Sequence, residues 1–435
     1  MKKIINIQFV LLLLTMAFIQ SCKKDYGDLN NPTAEDFLKN ASKDQLNNLV
    51  SGTESGMRNN LGLYLDETGV IGREIYRFSG SDPRYVTDLL GVNDATLSNN
   101  SFYINNPWAA RYRVVKNCNL LIQAAANSTL ITESAKKGYT GFAKTIKAYQ
   151  LLLNLNLTYA NGIRMEVDDP NNLGPIVGND EALTEIANLL DEAKSDFGGA
   201  DVLYPLAGFG TFDNAAGLVQ FNRALAARVA VYRQQWSTAL TALNESFFNL
   251  TGDFYAGVNN VFGTGSGDQL NPVYLPRNYS GEWRLAHPSY SEDIEANDDR
   301  IGKAVLRASS VTDPNSGLTG DRDVWVFTSG TAPIPIIRNE ELILIYAEAN
   351  IQTNNFTDAV SALNKIRNGH GLPDYGGAET HDALITEMLN QRRYSLFAEG
   401  HRWIDMRRYN LLDELPLDRP DLNVWEEFPL PSTEQ

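Results

Sequence analysis

Residues 341–366 read ELILIYAEANIQTNNFTDAVSALNKI, and residues 221–246 read FNRALAARVAVYRQQWSTALTALNES. The two stretches share a pattern of small and large side chains. Ala347 and Ala359 stand twelve apart in the first, and Ala227 and Ala239 stand twelve apart in the second. Phe356 and Trp236 precede the second alanine of each pair, and Leu363 and Leu243 follow it by one turn. Small residues let two helices approach closely, while an aromatic ring fills the gap at the turn between them. Each stretch therefore reads as a helix-turn-helix of tetratricopeptide type, and their recurrence as a repeat.

Apolar residues recur at helical spacing in most of the rest of the chain, and few segments alternate as a half-buried strand would. Trp108, Tyr112, Val115, Asn119 and Ile122 mark one helix, and residues 141–159 a second. Leu183, Ile186, Leu190, Ala193 and Phe197 mark a third, with Asn179-Asp180 as its expected cap. Residues 391–408 extend the same layer. The fold class expected is mainly α: tetratricopeptide-like helix pairs forming a right-handed superhelical scaffold with long irregular loop excursions and little β. Two such excursions, at about residues 61–107 and 254–335, are rich in Gly, Asn, Asp, Ser, Tyr and Trp. Segments so long inside a compact protein are functional or disordered, and their aromatic content argues against disorder. A short strand pair is expected at 324–328 and 334–337.

The N-terminus reads as an export signal. Lys2 and Lys3 precede an apolar run at 9–19 that is too short for a stable membrane span, and Ile19-Gln20-Ser21-Cys22 resembles a bacterial lipobox. The expected organisation is a signal peptide at 1–21, lipidation at Cys22, a polar tether at 22–32 and a single domain at 33–435. Acylation of Cys22 leaves Cys118 as the one thiol, so no intramolecular disulfide is expected. With 37 Lys+Arg against 53 Asp+Glu, the chain carries a formal net charge of −16, which excludes attraction to nucleic acid or anionic lipid through net charge. Attachment to a membrane would come from acyl chains.

The order of several segments resembles the SusD/RagB family over nearly the whole chain. They are the lipobox, Asn106-Pro107-Trp108 leading to Tyr112-Arg113-Val114-Val115-Lys116-Asn117, Gly141-Phe142-Ala143-Lys144, and Leu157-Thr158-Tyr159-Ala160-Asn161-Gly162. Then follow Leu342-Ile343-Leu344-Ile345-Tyr346-Ala347-Glu348-Ala349, Leu363-Asn364-Lys365-Ile366-Arg367, and the most specific piece, Glu399-Gly400-His401-Arg402-Trp403-Ile404-Asp405. Phe428-Pro429-Leu430-Pro431 closes the series. The resemblance implies a surface-exposed, lipid-anchored subunit of a Bacteroidetes outer membrane. Such a subunit captures oligosaccharide or another small nutrient and delivers it to a SusC-like TonB-dependent transporter, without being an enzyme. The chain is short for the family and ends four residues after Pro431, so an accessory segment of longer relatives is expected to be missing.

Sugars stack their apolar faces on Trp and Tyr rings and direct hydroxyls at amide, carboxylate and guanidinium groups. The first excursion offers Arg73, Tyr76, Phe78, Asp82, Arg84 and Tyr85; the second offers Tyr274, Tyr279, Trp283, Arg284, His287 and Tyr290. Ligand contact is expected from Arg73, Tyr76, Asp82, Arg84, Tyr85, Tyr279, Trp283, His287 and Tyr290, with Trp283 and either Tyr279 or Tyr85 as the stacking platform. The alternative for any one of these rings is that it simply pins its loop to the scaffold, because large rings are mostly buried.

Enzyme signatures are absent from the sequence. His287, His370, His381 and His401 lack zinc-ligand spacing, and Gly263-Thr264-Gly265-Ser266-Gly267 lacks the Lys-Ser/Thr of a phosphate loop. No metal or cofactor is implied; Asp298-Asp299 and Asp321-x-Asp323 read as solvated loop charge more than as a calcium site. In the Glu399–Asp405 stretch, Arg402 and Asp405 are expected to pair on one helix face, with Trp403 turned to the core beside Leu396. A surface glycoside hydrolase stands as a remote reading. The main alternative is a tetratricopeptide-type adaptor lipoprotein that binds a protein or peptide in its groove and has no small-molecule site.

Overall fold

The computed structural model describes residues 38–169 and 171–434. The leader, Cys22 and the tether at 22–32 lie outside the described residues. Thirteen α-helices and eight short strands are described, so the chain is mainly α. Helix α1 (Lys43–Met57) opens with a capping box: the Ser42 hydroxyl accepts from Gln45 N, and the Gln45 side chain accepts from Ser42 N. The long pair α4 (Phe102–Asn127) and α5 (Glu133–Thr158) follows α2 (Leu61–Ile71), β1 (Ile75–Ser79) and α3 (Arg84–Leu90). Next come β2 (Ile163–Arg164), β3 (Ile176–Val177), α6 (Asn179–Phe197), α7 (Ala215–Tyr232) and α8 (Trp236–Asn244). The second excursion holds β4 (Gly257–Asn260), β5 (Glu282–Ala286), α9 (Pro288–Asp293), β6 (Ala304–Thr312), β7 (Thr319–Val324) and β8 (Ile334–Arg338). Helices α10 (Asn339–Gln352), α11 (Phe356–Gly369), α12 (His381–Ser395) and α13 (Arg402–Arg408) complete the described chain.

The helices stack in series, each packing on the next from α4 through α8 and then through α10 and α11 to α12. The repeat read from sequence is a structural repeat down to its turns. Gln234 and Asn354 both adopt positive φ, at 55° and 59°. Gln235 N donates to Ala230 O and Asn355 N to Asn350 O, each at 2.8 Å. Ala227, Ala239, Ala347 and Ala359 are all fully buried, as close helix approach requires.

The excursions contain more regular structure than expected. Residues 61–71 form α2, buried on nearly every side, and β1 is buried along its whole length. An element enclosed all round shows neither an amphipathic stripe nor alternation, so its sequence gives no periodic signal. The first helix of the long pair also begins earlier than Trp108, running from Phe102 through Pro107. Strands from both excursions join in one antiparallel sheet of order β1-β5-β7-β6. The strand pair expected at 324–328 and 334–337 does not form. Strand β8 pairs instead with β4, where Gly257 lies so near that a Cβ would meet Ile337 O at 2.3 Å. Helix α6 takes Gly178 as its N-cap, and Asp180 and Glu181 stand in its first turn, where their charge suits the helix N-terminus.

Near the end of the chain, Trp403 is fully buried and donates Nε1–H to Trp425 O at 2.7 Å. The expected Arg402–Asp405 pair is absent. Asp405 is held by Arg392 at 2.7 Å and by Arg408 at 2.8 Å, because those two guanidiniums reach it inside the core and leave no acceptor for Arg402.

Candidate functional site

The excursions meet in the register of β1 with β5. Phe78 faces Trp283, Ser79 faces Glu282, and Arg77 faces Arg284. Beneath them Asp66, from the buried helix α2, binds Arg284 through both carboxylate oxygens, at 2.6 and 2.8 Å, and reaches Arg77 at 3.3 Å. This buried acid joins α2 to both strands and so to the loops they carry.

Glu282 accepts from the hydroxyls of Ser79 at 2.8 Å and Ser81 at 3.0 Å and pairs with Arg77 at 2.6 Å. Partial burial opposes its ionisation, but the Ser79 hydrogen bond and the Arg77 charge prevail and hold its carboxyl below the usual range. The Arg77 guanidinium lies 4.8 Å over the Tyr85 ring and donates to Trp283 O at 3.5 Å. Tyr85 meets Phe102 edge-on at 4.9 Å, and Arg84 lies 4.7 Å over the same Phe102 ring while pairing with Asp82 at 2.7 Å. Trp283 and Tyr85 are half-buried, and Tyr279 is 44% exposed. Five of the nine expected contacts, Asp82, Arg84, Tyr85, Tyr279 and Trp283, therefore reach the surface. Tyr85, Arg84 and Asp82 stand side by side there around Phe102, which suits a hydroxylated ligand with apolar faces.

The other four lie beneath the surface, so the structure gives them supporting roles in place of the expected ligand contact. Arg73, with φ of 54°, donates to the carbonyls of Val70, Ile71, Pro416 and Asn423, which clamps the C-terminal segment onto α2. Tyr76 stacks on Phe78 at 5.2 Å and meets the tilted ring of His287 at 5.0 Å, and His287 is held between Ser289 and Asp418 at 2.9 Å each. The Tyr290 hydroxyl donates to Arg300 O at 2.8 Å, and its ring packs 4.1 Å from Phe397. Residues 416–423 return over this part of the sheet, and no local pattern in the excursions announces that cover.

Sequence reading missed Asp66, Arg77 and Glu282. Their signal was present: an Asp-Glu pair inside the apolar run at 61–71 can stay buried only with a cationic partner or a proton. Glu67, the second acid, has no hydrogen-bond partner on either oxygen, and burial pushes its carboxyl well above the usual range. Three of the four loop acids considered for calcium are engaged otherwise. Asp298 binds Arg300 at 2.7 Å, Asp299 binds His370 at 2.8 Å, and Asp323 pairs with Arg307. Gly263–Gly267 flanks a separate polar cavity where Arg58 pairs with Asp268. Among the described residues no helix is long and apolar enough to cross a membrane.

Comparison with known proteins gives three concordant findings. Residues 261–427 match the model of the SusD family. A SusD-like protein from Formosa agariphila is 34% identical over 85 residues, a match that spans 18% of this chain and 17% of that relative. The solved structure of surface glycan-binding protein A from Bacteroides thetaiotaomicron in complex with laminarihexaose superposes with a TM-score of 0.69 at 14% identity, covering 91% of this chain and 97% of that one. A SusD superfamily protein from Bacteroides vulgatus gives 0.66 at 16% identity, covering 90% and 96%.

Proposed function

We propose that the chain, whose residues 261–427 match the SusD family model, is a binding member of the SusD/RagB family and not an enzyme, and that it captures oligosaccharide on the surface formed by its two excursions. The observation that carries the reading is the β1–β5 register. It joins segments some 200 residues apart in one sheet, with the half-buried Trp283 on one face and Glu282, Ser79 and Arg77 on the other, where Tyr85 packs on Arg77. Glycan binding in the thetaiotaomicron protein of the same fold supports it. In this proposal Trp283 and Tyr85 carry the stacking faces, Tyr279 extends them, and Asp82 and Arg84 hydrogen-bond sugar hydroxyls. Acylation at Cys22 would hold the protein on the outer membrane, and a SusC-like TonB-dependent transporter would take the ligand onward.

Calorimetric titration with laminarihexaose and a panel of other oligosaccharides tests the binding step. At least one should bind, and Trp283→Ala should weaken it. A protein that binds no glycan but captures an acidic or apolar peptide would favour the adaptor reading. Radiolabelled palmitate incorporated into wild type but not Cys22→Ala, and co-purification with a large barrel protein, test the anchor and the transporter.

A further inference from the structure

Arg402 is the residue of the Glu399–Asp405 stretch that makes no ion pair among the described residues: Glu74 and Asp405 favour its charge from a distance, and burial and the neighbouring Arg393 outweigh them. Its expected partner Asp405 is taken by Arg392 and Arg408. Glu399, three residues before it, is taken by Arg338 at 2.9 Å. Its Nε is buried and has no hydrogen-bond partner. The nearest unused acid, Glu74, accepts from Ala398 N at 3.3 Å, with no hydrogen bond to Arg402. Burial pushes Glu74 up to about 8 against the pull of the Arg402 charge, so near neutral pH it compensates that charge weakly. A second guanidinium, Arg393, stands close enough to disfavour the charge on Arg402 further. Arg393 has its own partner, Asp293 at 2.9 Å.

Both arginines line one cavity of about 470 Å3 between α12 and α13, within the size range of small-molecule sites of roughly 300–1,000 Å3. Ile385, Leu389, Met406 and Leu411 give it an apolar stretch, beside the polar His381, Thr386 and Asn390. Asp382 and Glu414 also border it, both exposed to solvent. A buried guanidinium Nε–H without an acceptor is costly, and a carboxylate is the ligand whose two oxygens match the forked donors of such a group. A bare inorganic anion would use the charge and leave the apolar wall wet.

We propose that this cavity is a second binding site, for a carboxylate carried on an apolar stem, with the anionic end on Arg402 beside Arg393 and the stem along Ile385, Leu389 and Met406. The site is built from α12 and α13 and shares no residue with the surface at β1 and β5, so it stands or falls separately from glycan capture.

Titration of the purified full chain tests it with four probes: hexanoate, its neutral counterpart hexan-1-ol, inorganic sulfate, and the amide of N-acetyl-Leu-Glu. Hexanoate or the dipeptide should bind, with hexanol and sulfate at least about tenfold weaker. The tighter of the two carboxylates identifies the source as a free acid or an acidic polypeptide. Arg402→Gln should abolish binding and Arg402→Lys should restore part of it, with both variants still unfolding cooperatively in a thermal scan, because Arg402 makes no direct ion pair to lose. Leu389→Trp should block the cavity with Arg402 intact. Sulfate binding as tightly as hexanoate, unchanged affinity in Arg402→Gln, or absence of binding by both carboxylates would each overturn the proposal.

Discussion

Replacing Asp66 by Asn should destabilise the protein by about 3–5 kcal/mol, because it leaves a buried guanidinium without its counter-charge. Asp66 is 2% exposed. Its two oxygens hold Arg284 at 2.6 and 2.8 Å, and the other hydrogen bond from Arg284 runs to the neutral Val273 O at 3.1 Å. Arg77 fares better, since Glu282 remains with it at 2.6 Å. The loss therefore falls on one arginine, and its size is a large share of the roughly 5–15 kcal/mol that holds a folded domain together. The double variant Asp66→Leu with Arg284→Met removes both charges together. Apolar replacement of a whole buried pair is often neutral or stabilising, so the double variant should recover most of the loss. Urea unfolding followed by tryptophan fluorescence measures both, and oligosaccharide titration at low urea reports whether β5 still presents Trp283. A shift below about 1 kcal/mol for Asp66→Asn, or a double variant as unstable as the single one, would refute the claim that this acid ties α2 to the two excursions.

Trp283→Ala should weaken oligosaccharide binding by at least about tenfold with little change in the urea midpoint, whereas Tyr76→Phe, altered beneath the surface, should leave affinity intact; calorimetry separates the two. Glu74→Gln should flatten the pH dependence of stability. With the folded carboxyl near 8 against a reference of 4.5, the native state holds a proton that the unfolded chain has released. Stability therefore falls as pH rises between those values, on the order of 1 kcal/mol per unit, and the variant should be the more stable protein at pH 8. An unaltered slope in unfolding experiments between pH 5 and 8 would place Glu74 elsewhere. Ala359→Leu should cost about 1–3 kcal/mol in the same urea assay by overpacking the fully buried contact between paired helices, and a neutral result would mean that the alanine spacing does not set helix approach.

The failures of the sequence reading share a cause. Helix α2 and strand β1 lie in an excursion that looked irregular, yet they are among the most enclosed elements of the chain. Period detection works on elements with one wet face, and these have almost none. The nine expected ligand contacts divided for a related reason. Aromatic and charged residues are equally at home over a surface and under a covering segment. Only the return of residues 416–423 separates Tyr76 and His287 from Trp283 and Tyr85. For Arg402, a partner three residues away was available in helical geometry, and more deeply placed arginines took it.

By itself the sequence determined the helical class, the helix-turn-helix repeat with its buried alanines, the acidic balance, and the two ring-rich stretches where binding was expected. These follow from local periodicity and composition, which act over a few turns of chain. Tertiary structure alone decided that the stretches join through β1 and β5, which of their side chains meet solvent, and which buried acids pair with which arginines. Those outcomes depend on contacts between residues hundreds of positions apart, where desolvation and charge pairing are settled by what finally packs against each group.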